Sequence, residues 1–220
     1  MYPEVLREDQ QTAIEYIKEV ACSYLYKDIL AFHRLKNPET LERLLQALAL
    51  QVGGEVSYNE LGKTLGIDKN TVASYIRILE QAFVIFRIPP FARNRRNEIK
   101  KLRKIYFFDN GIRNALINNF NPLHMRQDTG ALWENFLFSE RLKRNTYGGH
   151  GAKMYFWRTH HTGEIDCIEE KSGNIQGFEF KYSDERFRIP KAFTDAYPGV
   201  SVSVVSKTSY WDFINPCPNA

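Results

Sequence analysis

Apolar residues recur every three or four positions through the first half of the chain and fall in short alternating runs through much of the second. Helices are therefore expected first and strands later. From about Glu8 to Phe32, one helical stripe gathers Ile14, Ile17, Val20, Ala21, Tyr24 and Leu25. Asn37-Pro38 offers a cap and a first-turn proline for a helix through about Gln51, stopped by Gly53-Gly54, with Leu41, Leu44, Leu45, Leu48 and Leu50 facing a core. Ser57-Tyr58-Asn59-Glu60 is a capping box for a short helix to about Leu65. Gly66 then turns the chain, and Asp68 caps a helix from Lys69 to about Gln81 with Val72, Ile76, Leu79 and Phe83 inward. Strand-like runs follow at Val84 to Ile88 and Ile105 to Phe108.

After Asp109-Asn110-Gly111, a short helix and a turn at Pro122 lead to a long helix from about Thr129 to Lys143, with Asp128 as its cap. Leu132, Trp133, Phe136, Leu137 and Phe138 make that helix largely buried, and Glu134 lies among them. A carboxylate so placed needs a metal or a partner, Arg141 and the helix's positive end being the ordinary choices. A strand Met154 to Arg158, two more strands, a helix near Lys191 to Ala196 and a strand Ser201 to Val205 complete an α/β pattern with a mixed sheet.

The two middle strands carry the densest chemistry. With Ser172-Gly173 as the tight turn, Asp166 faces Glu179 and Glu164 faces Lys181 on one side of a hairpin. Ile165, Cys167, Phe178 and Phe180 then point into a core. Opposed carboxylates repel, and a divalent cation between them removes the cost.

Composition narrows the class. The 220 residues are 43% hydrophobic with 15 Phe, enough for one large or two small folded domains. No apolar run approaches a membrane span, and the N-terminus lacks the form of a signal peptide. Three scattered cysteines form neither a disulfide framework nor a zinc site, so a cytoplasmic protein is expected. The net charge is +4, yet Ala92 to Lys104 alone holds seven basic residues against Glu98, a local +6. A polyanion suits such a run, and a solvated charged loop is the plain alternative. Gly62-Lys63-Thr64 mimics a phosphate-binding loop, but Ser57 stands where that loop needs its first glycine.

Helix, short helix, glycine turn and capped helix resemble a helix-turn-helix, with the two strands flanking the basic run as a wing. DNA is the expected partner, met by Lys69, Asn70, Ser74 and Arg77 on the helix and by Arg93, Arg95, Arg96, Lys100 and Lys101 on the wing. Winged helices also serve as protein-interaction modules.

The second half resembles the restriction-endonuclease-like, PD-(D/E)xK superfamily, with Glu134 on the first core helix, Asp166 on the second strand and Glu179-x-Lys181 on the third. Ile165 stands in place of the motif's proline. The resemblance implies Glu134, Asp166, Glu179 and Lys181 as catalytic residues. Asp166, Glu179 and Glu134 would hold Mg²⁺, Lys181 would orient the attacking water, and Glu164 would modulate Lys181.

Tyr24-Leu25-Tyr26-Lys27-Asp28-Ile29, Ile105 to Gly111, Leu132-Trp133-Glu134-Asn135, Tyr155-Phe156-Trp157-Arg158 and Gly163-Glu164-Ile165-Asp166 in this order resemble the C-terminal region of prokaryotic AAA-type P-loop ATPases of the DUF4143 family. That resemblance implies residues 1–35 as a helical segment trailing an ATPase domain, 36–112 as a winged helix and 113–220 as the nuclease-like domain. The expected fold is α+β, a helical winged helix-turn-helix followed by an α/β restriction-endonuclease-like domain around a central mixed sheet. The expected function is DNA binding with a Mg²⁺-dependent nuclease-like site, as part of an ATPase acting in cis or in trans. A catalytically inactive DNA-binding or regulatory module is the alternative.

Overall fold

A computed structural model describes residues 5, 7–23, 38–91, 103–149, 151–159, 163–183 and 186–215. It separates into two compact units, Met1–Arg87 with Ile105–Arg126, and Ile88–Lys104 with Gln127–Ala220. The basic residues Arg93, Arg95, Arg96, Lys100 and Lys101 lie outside the described residues, as does the expected first helix beyond Ser23.

The first unit is mainly helical: α1 (Gln10–Cys22), α2 (Pro38–Leu50), α3 (Tyr58–Leu65), α4 (Lys69–Gln81) and α5 (Asn110–Leu116). A three-stranded sheet accompanies them, in the order β1 (Glu55–Val56), β3 (Arg103–Phe107), β2 (Ile85–Ile88). Local chemistry sets the helix starts. Asp9, Ser57, Asp68 and Asp109 each accept backbone N–H groups of the first turn, which otherwise have no partner inside the helix. Gly66 ends α3 in the left-handed region at φ 70°, and a Cβ on Gly62 would lie 2.6 Å from the Ile67 carbonyl oxygen. The tight α3–α4 turn thus needs both glycines, and Gly62-Lys63-Thr64 is helical, with no phosphate-binding loop there. Arg87 clasps Glu80 with two guanidinium contacts, at 2.6 and 2.5 Å, and donates to the Tyr58 hydroxyl at 3.2 Å, which ties β2 to α4 and α3.

Leu41, Leu44, Leu45 and Leu48 of α2, and Val72, Ile76 and Leu79 of α4, are buried as their spacing predicts. Two residues correct the reading. Leu50 is 69% exposed, because it closes α2 at the edge of the apolar stripe. Phe83 is 70% exposed, because it follows the helix end with φ 55° and is turned out of the α4 stripe onto the edge of Phe108. Tyr75 takes an inward position instead.

The second unit is built on a four-stranded sheet in the order β4 (Lys153–Arg158), β5 (Glu164–Lys171), β6 (Asn174–Phe180), β7 (Val202–Val205). β4, β5 and β6 run antiparallel, and β7 runs parallel to β6 after a crossover through α7 (Lys191–Ala196). β5 and β6 are therefore the inner strands. Ser172 at φ 52° and Gly173 at φ 86° form the hairpin's turn, a geometry that matches the twist of the strands it joins. The register that this turn dictates holds from Lys171↔Asn174 to Cys167↔Phe178.

Both faces of the sheet are covered. Phe178 and Phe180 pack on Phe213 of α8 (Tyr210–Ile214), and Phe180 on Phe138 of α6 (Thr129–Tyr147). On the other face Trp157 and Ile168 pack with Phe193 of α7. The α6 helix runs four residues past its expected end, and Asp128 sits at its N-cap without making a side-chain capping bond. Trp133 and Phe136 are half-buried, so α6 is less deeply enclosed than its composition predicts.

One buried ionic cluster fastens these layers. Arg141 of α6 grips both carboxylate oxygens of Glu169 on β5, with Nε to Oε1 at 2.7 Å, and Asn145 adds a third bond to Oε1 at 2.7 Å. The Arg141 guanidinium also donates to the Phe213 carbonyl and lies 4.4 Å from that ring's centroid. Removing one partner of such a pair strands a buried charge. Glu169→Ala is therefore expected to lower stability by about 3–5 kcal/mol in urea unfolding, and Arg141→Met combined with Glu169→Leu to recover most of the loss.

Candidate functional site

The β5–β6 ladder stops one pair short of the carboxylates. Asp166 does not pair with Glu179 through the backbone; its Oδ2 instead accepts the backbone N–H of Phe180 at 2.8 Å. Glu179 is 6% exposed, with Oε1 3.0 Å from the Lys181 ammonium and Oε2 buried without a hydrogen-bond partner. Ile165, Cys167, Phe178 and Phe180 are buried, but a register shift between β4 and β5 turns Ile165 to the Trp157, Ile168 and Phe193 cluster, across the sheet from Phe178 and Phe180. The hairpin therefore delivers Asp166, Glu179 and Lys181 to one end of the two inner strands.

Lys104 is the residue that sequence reasoning missed. Counted with the basic run from Ala92, it is in fact 4% exposed at the start of β3, within the second unit. Its ammonium lies 2.9 Å from Glu134 Oε1 and 2.6 Å from Glu164 Oε1. It also sits 5.5 Å from the Phe156 ring centroid. Glu134 therefore meets Lys104, and Arg141, its expected alternative partner, belongs to Glu169. Glu164 likewise meets Lys104, where the hairpin reading placed Lys181 opposite it. The signal was there to be read: Lys104 opens the run Ile105-Tyr106-Phe107, buried throughout, and a lysine in such a run needs a counter-charge.

The charges are tightly interdependent. Burial pushes the Asp166 carboxyl well above the usual range, and Glu134 and Glu179 push it the same way, against Lys104 and the Phe180 N–H. Burial also raises Glu179, opposed by Lys181. Burial alone would lower Lys104, but Glu134, Glu164 and Asp166 outweigh it and hold the ammonium above its ordinary value.

Asp166 and Glu179 fit a hard cation in donor type, and Glu179 Oε2 is buried without a hydrogen-bond partner. Glu134 fits less well, because Lys104 already occupies its Oε1. Among the described residues, no group of three or more His, Cys, Asp or Glu side chains is disposed to hold a metal ion. In the first unit, Lys69, Asn70, Ser74 and Arg77 are exposed on α4. None of the described helices is long and apolar enough to cross a membrane.

Residues 1–123 match the family described as domain of unknown function DUF8612. The chain belongs to the DUF8612 family. Residues 129–211 match a second domain of unknown function, DUF4143, which covers the sheet and the acids of this DUF8612 protein. An uncharacterized protein of Mycobacterium tuberculosis is 29% identical over 147 residues, 64% of this chain and 32% of the relative. One of Haemophilus influenzae is 24% identical over 195 residues, 86% of this chain and 44% of the relative. One of Methanocaldococcus jannaschii is 30% identical over 117 residues, 52% of this chain and 24% of the relative. The chain thus spans less than half the length of these curated relatives. No solved structure matches it.

The raised Asp166 carboxyl has a stability consequence with a definite sign. Its ionisation costs nothing below the unfolded-state pKa and costs most above the folded-state pKa. Asp166→Asn removes that cost, so in chelator it is expected to raise Tm by ~2–4 °C at pH 8, with the gain fading as pH falls toward 4. Calorimetry across that range checks it; a loss of stability at pH 8 contradicts the electrostatic account.

Proposed function

We propose that this protein binds DNA and carries a Mg²⁺-dependent nuclease-like site in its second unit. The observation behind the reading is the end of the two inner strands, where a raised Asp166 and a buried Glu179 with a partnerless oxygen stand beside Lys181. The order of α6, three antiparallel strands, α7 and a parallel fourth strand supports a restriction-endonuclease-like, PD-(D/E)xK assignment for this unit. In this proposal Asp166 and Glu179 hold the ion, and Glu134 stands behind them through Lys104. The chemistry such an ion supplies is Lewis acidity toward a phosphoryl oxygen. Lys181 orients the attacking water and offsets the negative charge that develops in the transition state.

The first unit, in the same proposal, is a winged helix. Its α4 would present Lys69, Asn70, Ser74 and Arg77 to a DNA groove, while Arg93, Arg95, Arg96, Lys100 and Lys101 neutralise phosphates. Exposure of the α4 side chains and the charge of the 92–104 run support it. The DUF4143 match and the greater length of the relatives support an AAA-type ATPase context, with the motor in cis or in trans.

A second reading has its own observation. Lys104 already offsets Glu134 and Glu164 without a metal, as it would in a non-enzymatic DNA-binding or regulatory module.

Nicking of supercoiled plasmid separates the two. The first reading expects nicking with Mg²⁺ or Mn²⁺ but not with EDTA, and at least a 10²-fold loss in Asp166→Ala and Lys181→Ala. Wild-type protein that leaves the plasmid intact rejects the nuclease and favours the regulatory module. For DNA binding, Arg95→Ala with Arg96→Ala is expected to reduce the slope of log affinity against log salt by about 2. An unchanged slope removes those arginines from the interface.

A further inference from the structure

We infer that Lys104 is the internal counter-cation of the acid site and sets how strongly that site takes a divalent ion. This rests on the metal reading given above.

Three facts carry it. First, Lys104 is enclosed, at 4% exposure, so its charge is little screened by solvent. Second, its ammonium is shared at 2.9 and 2.6 Å between Glu134 on α6 and Glu164 on β5, which holds two elements around Asp166. Third, Glu134, Glu164, Asp166 and Glu179 set against Lys104 and Lys181 leave a formal charge of −2, which one divalent cation neutralises.

The opposing effects of Lys104 follow from Coulomb's law. It stabilises the metal-free protein by compensating Glu134 and Glu164. It also repels a second cation near Asp166, and it keeps Glu134 Oε1 engaged. Lys104 is thus a positioning residue that touches Glu134 and Glu164 and neither the ion nor the substrate. A neutral side chain of similar length removes both effects together, which an ordinary structural ion pair does not predict.

The test measures Mn²⁺ affinity by calorimetric titration and Tm in chelator, for wild type and Lys104→Met. The variant is expected to melt lower in chelator yet to bind Mn²⁺ on the order of tenfold tighter, and so to gain more Tm on adding the ion. If Lys104→Met does not fold alone, the charge-balanced Lys104→Met with Glu164→Gln takes its place. That pair keeps the formal −2, frees Glu134, and should bind Mn²⁺ at least as tightly as wild type. Equal or weaker binding by Lys104→Met, or weaker binding by the pair, overturns the role of Lys104 while leaving the metal site standing. Absence of Mn²⁺ binding in both wild type and variant overturns the metal reading, and the inference with it.

Discussion

The second unit turns on like charges brought together at graded depths, from buried Glu179 to Glu164 with its side chain 38% exposed. Glu134, Glu164, Asp166 and Glu179 gather on α6 and the two inner strands, and carboxylates brought so close destabilise the fold unless cations answer them. Lys104 answers Glu134 and Glu164, Lys181 answers one oxygen of Glu179, and the Phe180 N–H answers one oxygen of Asp166. What is left uncompensated is the second Glu179 oxygen and the raised Asp166, side by side at one end of the hairpin.

The rest of the unit keeps that arrangement in place. The Ser172–Gly173 turn fixes the register, and a slip of one residue would part Asp166 from Glu179. The Arg141–Glu169–Asn145 cluster joins α6 to β5 and, through the Phe213 carbonyl, to α8. Glu134 and Asp166 therefore ride on elements clamped to one another a few turns away. Gly177 adds a related constraint, since a Cβ there would come 2.9 Å from the Val202 Cγ2 methyl, which would have to shift.

Much of this was legible in the chain. Helix caps at Ser57 and Asp68 are local hydrogen bonds, and the turn at Ser172-Gly173 fixes its own pairing, so both can be read from short stretches. Alternation placed Cys167, Phe178 and Phe180 in the core, whereas the register shift in β5 turned Ile165 to the opposite face. What escaped depends on contacts distant in sequence. Lys104 and Glu134 are thirty residues apart, and Arg141 and Glu169 twenty-eight; each pair is defined only once a strand and a helix have packed. Phe83 shows the same limit at short range, where a positive φ after the helix end turns an apolar ring outward.

We propose that these acids are gathered for one divalent ion held by Asp166 and Glu179. Electron paramagnetic resonance of Mn²⁺ titrated into the full chain tests it most directly, because free and bound ion give separate signals. One bound ion per chain is expected in the wild type, and loss of that ion in Glu179→Gln, which keeps the shape of the side chain but not its charge. A wild type that leaves Mn²⁺ free, or a Glu179→Gln variant that binds it as well as wild type does, would contradict the claim.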